Sequence, residues 1–228
     1  MDTYGKLTIV DTGFINRAAE INAVHDTQHE EEIYKTTSAW MKLRTDDENF
    51  VIDTILAEGK NDSADTPFSM INTEKIGLIG HSLGGASSAQ MGRLRNDIDA
   101  VIVLDGTMLG EEVAFENNAV VLNDMPYPVP LLNVYAEDHY TNSKELVGDA
   151  YNNFYATENA VCAYETVFKN AGHLNFTDLP LFSPTLAKML GVGTIDERYC
   201  IETMNEVVLE FFDSYLKDAG EPKIEKEY

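Results

Sequence analysis

The sequence predicts an α/β fold in which helices flank a mostly parallel sheet. Three observations indicate this class: short apolar runs alternate with helical or irregular segments, an amphipathic stretch lies near the C-terminus, and a glycine-flanked serine follows the first core run. Such alternation is typical of parallel strands joined by crossover helices. With 228 residues, of which 44% are hydrophobic, the chain is long enough for one core. We therefore predict a single domain over residues 1–228.

The N-terminal part, residues 1–58, is predicted to be a mainly helical lead-in. Apolar side chains recur at helical spacing between Ile33 and Leu56, which predicts one long helix or two consecutive ones. A short strand is predicted at residues 7–10. The Gly, Asn, Asp, Ser and Pro residues of segment 59–72 predict a loop that leads into the first core strand.

The following part, residues 74–218, is predicted to contain the sheet, the loops that carry the site, and a C-terminal helix. Apolar and β-branched runs predict strands at residues 76–79, 100–104, 130–136 and 163–168. Helices are predicted at residues 82–95 and 198–216, the second from an apolar stripe at helical spacing. The remaining residues, 219–228, are predicted to form a solvated tail.

Residues 80–85 read Gly-His-Ser-Leu-Gly-Gly and join the first core strand to a helix, which is the setting that a serine nucleophile elbow requires. The elbow would present the Ser82 hydroxyl to substrate. Gly80 and Gly84 are predicted to let the strand and the helix pass each other without a Cβ clash. The backbone N–H of Leu83 and the positive end of the helix are predicted to stabilise an oxyanion. The motif therefore predicts hydrolysis of an ester.

A serine nucleophile needs a base and a carboxylate that orients the base. His173, in the loop after the last predicted strand, is the candidate base, and Asp105 directly follows the strand at residues 100–104. The chain order Ser, Asp, His is the one that a hydrolase elbow predicts. Asp138 follows the next strand and is the alternative acid, and the residues themselves leave both open. His139 would compete as the base only if the loop of His173 were displaced.

The charge of the chain excludes several classes of partner. The 39 acidic and 16 basic residues give a formal net charge of −23, which repels nucleic acid phosphates and anionic lipid head groups. We therefore predict no nucleic acid partner and no strong binding to anionic membranes, and expect a small ester as substrate. Cys162 and Cys200 are too few for a disulfide framework or a zinc site, and we expect no metal and no cofactor.

No apolar run approaches the roughly 20 residues that span a bilayer. The first residues also lack the basic and then apolar order of a secretory signal. The expected location is therefore cytoplasmic by default, with the compartment of the full-length protein left open.

Three motifs together resemble the platelet-activating-factor acetylhydrolase-like branch of the α/β-hydrolases. They are the elbow at residues 80–85, Leu-Asp-Gly-Thr-Met at residues 104–108, and Gly-His-Leu-Asn-Phe-Thr-Asp at residues 172–178, and the resemblance extends over about residues 40–216. It implies an α/β-hydrolase fold, and it implies that Asp105 rather than Asp138 is the acid. It also implies calcium-independent hydrolysis of short or oxidised acyl esters, acetyl groups of phospholipids included. The acidic surface favours small soluble esters over phospholipids.

A full fold of this family has eight strands, and the elbow follows the fifth. A His-Gly segment after the third strand normally supplies a second oxyanion N–H. Only 81 residues precede Ser82 here, and the sequence contains no His-Gly pair, so we expect the early strands to be lacking. The elbow strand would then have an unpaired edge, which a homo-oligomer, a missing N-terminal segment or the strand at residues 7–10 would complete. The alternative function is a catalytically weak or inactive hydrolase-fold fragment or binding module with an incomplete oxyanion hole.

Overall fold

A four-stranded parallel sheet forms the centre of the structure, a computed structural model that describes residues 30–60 and 67–228. The predicted strand at residues 7–10 and the first half of the lead-in lie outside these residues. The strands are β1 (Gly77–His81), β2 (Ala100–Leu104), β3 (Glu112–Glu116), β4 (Ala119–Leu122), β5 (Leu131–Ala136) and β6 (Ala163–Phe168). The order in the main sheet is β1-β2-β5-β6, and every neighbouring pair is parallel. The predicted mostly parallel sheet is therefore confirmed.

Helices cover both faces of this sheet. The helices of the described residues are α1 (Glu30–Gly59), α2 (Leu83–Leu94), α3 (Glu137–Leu146), α4 (Asn152–Glu158), α5 (Leu179–Phe182), α6 (Pro184–Met189) and α7 (Glu197–Leu216). One face of β2 and β5 packs against α7 through Val207 and Phe211. The other face packs against α2, and α1 lies over α2 and contributes Ile52 to the same core. The described residues thus form three layers, helix, sheet and helix.

The central strands β2 and β5 are buried at every residue, as expected for parallel strands covered on both faces. Their register pairs Val101 with Leu131, and that of β1 and β2 pairs His81 with Leu104. This alignment brings the carboxyl ends of β1, β2 and β5 together at one edge, where parallel α/β sheets bind ligands.

The lead-in contains one long helix, α1 (Glu30–Gly59), rather than two consecutive ones. In the described part of the predicted loop, the chain makes a short 3₁₀ turn at Pro67–Met70 before it enters β1. Among the described residues, no helix is both long and apolar enough to cross a bilayer.

A β-hairpin of β3 and β4 lies between β2 and β5 and was not among the predicted elements. Asn117 and Asn118 form its two-residue loop, with φ angles of 54° and 62°. Positive φ at both central residues defines a type I′ turn, which favours Asn because its side chain tolerates this conformation. The Asn-Asn pair between two apolar runs was therefore the signal that could have predicted the hairpin.

The C-terminal residues are mostly exposed, but they are attached to the edge of β6 rather than forming a free tail. The last residues run alongside β6: the N–H of Val167 donates to the carbonyl of Lys226, and the N–H of Tyr228 donates to the carbonyl of Val167, both at 3.0 Å. The Tyr228 ring lies 5.4 Å from the Phe168 ring, measured between centroids. These residues are largely polar in sequence, but the free edge of β6 supplies hydrogen-bond partners and an apolar surface for the tyrosine ring.

Candidate active site

Ser82 lies at the sharp turn between β1 and α2. Its backbone angles are φ 57° and ψ −127°, a conformation that non-glycine residues rarely adopt. The Ser82 N–H donates to the carbonyl of Leu104 at 2.9 Å, and the N–H of Ala86 donates to the Ser82 carbonyl at 3.1 Å. The turn is therefore held by the sheet on one side and by the first helical hydrogen bond on the other, and it has the strained backbone of a nucleophile elbow.

The glycines of the elbow differ from the predicted pair. A Cβ atom on Gly80 would lie 2.2 Å from the backbone of Gly84, and one on Gly85 would lie 2.7 Å from the Gly80 carbonyl oxygen. A Cβ atom on Gly84 would meet no atom within 4 Å. The close approach of strand and helix therefore needs Gly80 and Gly85, and the assignment of this role to Gly84 is wrong because a Cβ atom at Gly84 would enter open space.

Leu83 is the first residue of α2 and lines the same cavity as Ser82. The first N–H groups of a helix have no intrahelical acceptor, and the helix dipole places partial positive charge there. The backbone N–H of Leu83 is thus next to the serine and available to an oxygen that develops negative charge.

Asp105 follows β2 directly, and its side chain is completely buried. Its Oδ1 accepts hydrogen bonds from the Ala136 N–H at 2.7 Å and from His139 Nδ1 at 2.9 Å, and its Oδ2 accepts one from His173 Nδ1 at 2.7 Å. Burial by itself raises the pKa of this carboxyl, but the hydrogen bonds from the two histidines and Ala136 outweigh burial and hold the pKa well below its usual range. Asp105 is therefore an ionised carboxylate that accepts three hydrogen bonds.

His173 begins a 3₁₀ turn, His173–Phe176, in the loop after β6. Its hydrogen bond to Asp105 is the main cause that raises its pKa, while partial burial acts in the opposite direction. The ring of His81 packs against the ring of His173 with 4.4 Å between centroids. His81 Nε2 also donates to the carbonyl oxygen of His173, at 3.0 Å. His81 is not among the residues that line the cavity described below, and it holds the loop that carries His173.

Asp138, the alternative acid, lies in the first turn of α3 and lines the same cavity. Its Oδ1 accepts a hydrogen bond from the N–H of His139 at 2.8 Å. Its charge adds a smaller contribution to the raised pKa of His173, after those of Asp105. Within the described residues the carboxylate that contacts His173 Nδ1 is that of Asp105, so the geometry favours Asp105 as the orienting acid.

These side chains meet at an open cavity of about 450 Å³. Its lining residues are Ser82, Leu83, Asp105, Thr107, Leu109, Asp138, His139, Asn142 and His173. The His173 side chain is 44% exposed, and its Nδ1 is bound to Asp105. Across residues 30–60 and 67–228, no hydrogen bond joins Ser82 Oγ to His173 Nε2, so both atoms are available at the cavity. In enzymes of this kind such a bond often tightens only when substrate binds.

Sequence reasoning missed the second histidine on Asp105. The sequence suggests His139 only as a competing base, whereas its Nδ1 contacts the carboxylate oxygen opposite the one that binds His173. Its Nε2 in turn contacts the hydroxyl of Tyr151 at 2.8 Å. The position of His139, just after the β5 strand, was a signal that it lies near the site. The role of Tyr151 had no such signal, since this residue precedes α4 in an irregular segment.

Comparison with known proteins gives a family and a fold. The family model described as platelet-activating factor acetylhydrolase, isoform II, matches residues 19–225. Among solved structures, ten chains match. One is a ferulic acid esterase from Streptomyces cinnamoneus, with a TM-score of 0.57 and 23% sequence identity over 82% of this chain. The alignment covers 51% of the esterase chain, so this chain spans about half its length. No match was found among curated proteins.

The structural match agrees with the parallel sheet and the flanking helices described above, and it establishes the α/β-hydrolase fold. The family match covers most of the chain and includes all three motifs that carried the resemblance in sequence. The chain therefore belongs to the platelet-activating factor acetylhydrolase isoform II family.

Proposed function

We propose that the protein is a serine carboxylic-ester hydrolase that acts on short-chain acyl esters through Ser82, His173 and Asp105. The observation that carries the proposal is the convergence of a strained serine turn and a histidine bound to a buried carboxylate at one cavity. The family match supports hydrolysis of acetyl esters in particular. The net charge of −23 favours small soluble esters over esters held in an anionic membrane.

In the proposed mechanism, Ser82 Oγ attacks the ester carbonyl while His173 Nε2 takes the hydroxyl proton. The proton then passes from His173 to the departing alcohol, which leaves an acyl group on Ser82. A water molecule, activated by His173 in the same way, releases the acid and restores the serine. Asp105 holds Nδ1–H of His173 and stabilises the imidazolium formed in both steps. The Leu83 N–H stabilises the oxyanion.

A labelling experiment on the purified protein tests this proposal. We expect a fluorophosphonate probe to modify Ser82, as located by peptide mapping, and we expect turnover of p-nitrophenyl acetate and butyrate. Methyl ferulate and an acetylated phospholipid, tested beside them, define the alcohol and acyl preferences. A folded protein that is neither labelled nor active would support the alternative, a hydrolase-fold binding module with an incomplete oxyanion hole.

Substitutions separate the roles of the three residues. We expect Ser82→Ala to lower kcat/KM by about 10⁴- to 10⁶-fold, because the residues of a triad act as a unit. Asp105→Asn is expected to lower it by about 10³- to 10⁴-fold, since the histidine loses its orienting charge. Asp138→Asn is the matched control, with the same chemical change at the same cavity, and we expect a much smaller loss. A larger loss of kcat/KM in Asp138→Asn than in Asp105→Asn would assign the role of the orienting acid to Asp138.

A further inference from the structure

A second histidine lies on the side of the Asp105 carboxylate opposite His173. His139 Nδ1 is 2.9 Å from Oδ1, and His173 Nδ1 is 2.7 Å from Oδ2, so each carboxylate oxygen contacts one imidazole. The Asp105 side chain has no exposed surface, whereas that of His139 is 21% exposed. One ionised carboxylate is thus shared between the two rings.

The contacts of His139 continue away from the cavity. Its Nε2 lies 2.8 Å from the hydroxyl of Tyr151, and that hydroxyl lies 2.9 Å from Thr107 Oγ1. An ionised carboxylate can only accept, so Nδ1 of His139 carries the proton and donates to Asp105. When the ring is neutral, Nε2 is an acceptor and the Tyr151 hydroxyl donates to it. Burial raises the pKa of Tyr151 to about 12, so the phenol keeps this proton at neutral pH.

The rings behind Asp105 are packed closely. The His139 ring meets Tyr135 and Tyr151 edge to face, at centroid distances of 6.1 and 5.8 Å. Phe154 packs against Tyr151 at 5.0 Å. Tyr135 and Tyr151 are buried, which leaves the His139 ring little freedom to rotate away from the carboxylate. The hydrogen-bonded chain from Thr107 to Asp105 is therefore held by packing as well as by its own bonds.

We propose that His139 and Tyr151 are positioning residues that hold the Asp105 carboxylate in place and limit how strongly it attracts a proton to His173. The proposal rests on the proposed function, because it assigns His173 the role of general base. Neither residue takes part in bond making: both act on the reaction through Asp105.

The physical reason is competition for one negative charge. A hydrogen bond from His139 stabilises the carboxylate, and a stabilised carboxylate binds the Nδ1–H of His173 less strongly. Without that bond Asp105 would attract the imidazolium form of His173 more strongly, and its side chain could rotate. The other titratable groups that face the two histidines are His81, Asp138, Tyr135 and Tyr151, and they are unchanged in the substitutions of His139.

Three variants test the proposal. His139→Phe keeps a ring but removes both nitrogens, and His139→Asn keeps a donor near the position of Nδ1. Tyr151→Phe removes only the hydroxyl that orients His139. The first readout is the pKa of His173, measured by nitrogen-15 NMR titration of the folded protein. The second is the pH dependence of kcat and KM for p-nitrophenyl acetate.

We expect His139→Phe to raise the pKa of His173 and to lower kcat by about 10- to 100-fold with little change in KM, because the base is misplaced rather than the substrate. His139→Asn is expected to restore most of the wild-type pKa and kcat. Tyr151→Phe is expected to shift the His173 pKa in the same direction as His139→Phe but by less. If His139→Phe does not fold, Tyr151→Phe and His139→Asn still provide the comparison.

An unchanged His173 pKa in His139→Phe and Tyr151→Phe would overturn the proposal. Equal losses of kcat in His139→Phe and His139→Asn would also overturn it, because they would indicate a merely structural ring. The NMR titration needs no turnover, so it separates this proposal from the proposed function. A wild-type protein without labelling or activity, but with a His173 pKa that responds to His139→Phe, would refute the ester hydrolase while leaving the coupling of the two histidines intact.

Discussion

Ser82 and Asp105 both have positive φ angles, 57° and 49°, at the ends of adjacent strands. Such conformations cost non-glycine residues on the order of 1–3 kcal/mol each and persist only where the surrounding structure imposes them. Here the neighbouring strand holds each residue: the Ser82 N–H donates to Leu104, and the Asp105 N–H donates to Val134 at 2.7 Å. The strain lies at the two positions where a side chain must leave the sheet toward the cavity.

The pKa of His173 predicts the pH dependence of the proposed reaction. In the proposed mechanism neutral His173 is the base, so kcat/KM should fall as the pH decreases through its pKa, which Asp105 raises above the ordinary histidine value. Asp105→Asn removes that charge, and we expect the acidic limb of kcat/KM to move to lower pH while the maximum falls. Asp138→Asn is the control and should move the limb less. An acidic limb that stays in place in Asp105→Asn would assign it to another group.

At the scale of elements, the contact of β1 with α2 predicts different effects for two adjacent glycines. Gly85→Ala places a methyl group against the Gly80 carbonyl and Val103, and we expect a loss of about 2 kcal/mol in the free energy of unfolding. Gly84→Ala is the matched control, since its methyl group enters open space, and should leave stability within about 0.5 kcal/mol. Urea denaturation of both variants measures the difference. Equal losses of stability in Gly85→Ala and Gly84→Ala would contradict the close approach of β1 and α2 at Gly85.

The packing of α1 on α2 includes a carboxylate. Glu48 of α1 accepts hydrogen bonds from the hydroxyls of Ser87 and Ser88 in α2, the second at 3.3 Å. Burial raises the pKa of Glu48, and the two hydroxyls oppose this effect only in part. The folded state therefore binds this proton more tightly than the unfolded state. Its contribution to stability is complete at low pH and is lost as the pH rises through the folded-state pKa.

Glu48→Gln should remove this pH dependence. We expect its free energy of unfolding, relative to wild type, to increase from acidic to neutral pH, because the wild type alone must ionise a partly buried group. Glu58→Gln, on the exposed surface of the same helix, is the matched control and should run parallel to the wild type. Thermal denaturation at several pH values measures both. A constant difference between Glu48→Gln and wild type would contradict the assignment.

For the molecule as a whole, the two edges of the main sheet differ. The C-terminal residues cover the edge of β6. In the part of the chain that the structure describes, β1 has a partner on one side only, and Ile79 is 43% exposed there. An open apolar edge is a place where another strand can pair. We therefore retain the proposal that a second copy of the chain or a further segment completes the sheet beside the elbow strand.

The covered edge predicts that the last residues stabilise the molecule. Deletion of residues 224–228 removes three backbone hydrogen bonds to β6 and to Lys169, the residue after it. It also removes the Tyr228 ring that packs against Phe168. We expect the free energy of unfolding to fall by about 3 kcal/mol. Tyr228→Ala should lose less, since the backbone bonds remain. Tyr199→Ala, at a tyrosine 49% exposed, is the matched control and should change stability by less than about 0.5 kcal/mol. Calorimetry measures the stability of all three variants. A deletion variant as stable as the wild type would contradict the packing of the C-terminal residues on β6.

Sequence patterns determined the local elements, because the cause of each lies within a few residues of the chain. Runs of apolar and β-branched residues specified strands at residues 100–104 and 163–168 with the bounds that the structure has, and the glycine-flanked serine specified the strand-to-helix turn. The mostly parallel sheet and the α/β-hydrolase fold followed from this alternation together with the family motifs. The Asn-Asn turn is an equally local signal, so the hairpin could also have been predicted from the sequence.

Tertiary structure alone decided the features that join distant segments. The choice of Gly85 over Gly84 depends on which Cα hydrogen faces β1, and the placement of the C-terminal residues depends on the free edge of β6. The contact of His139 with Asp105 likewise depends on how α3 begins beside the end of β2. Spacing along the chain carries no information on these distances, because they arise when the strands align and the helices pack on them.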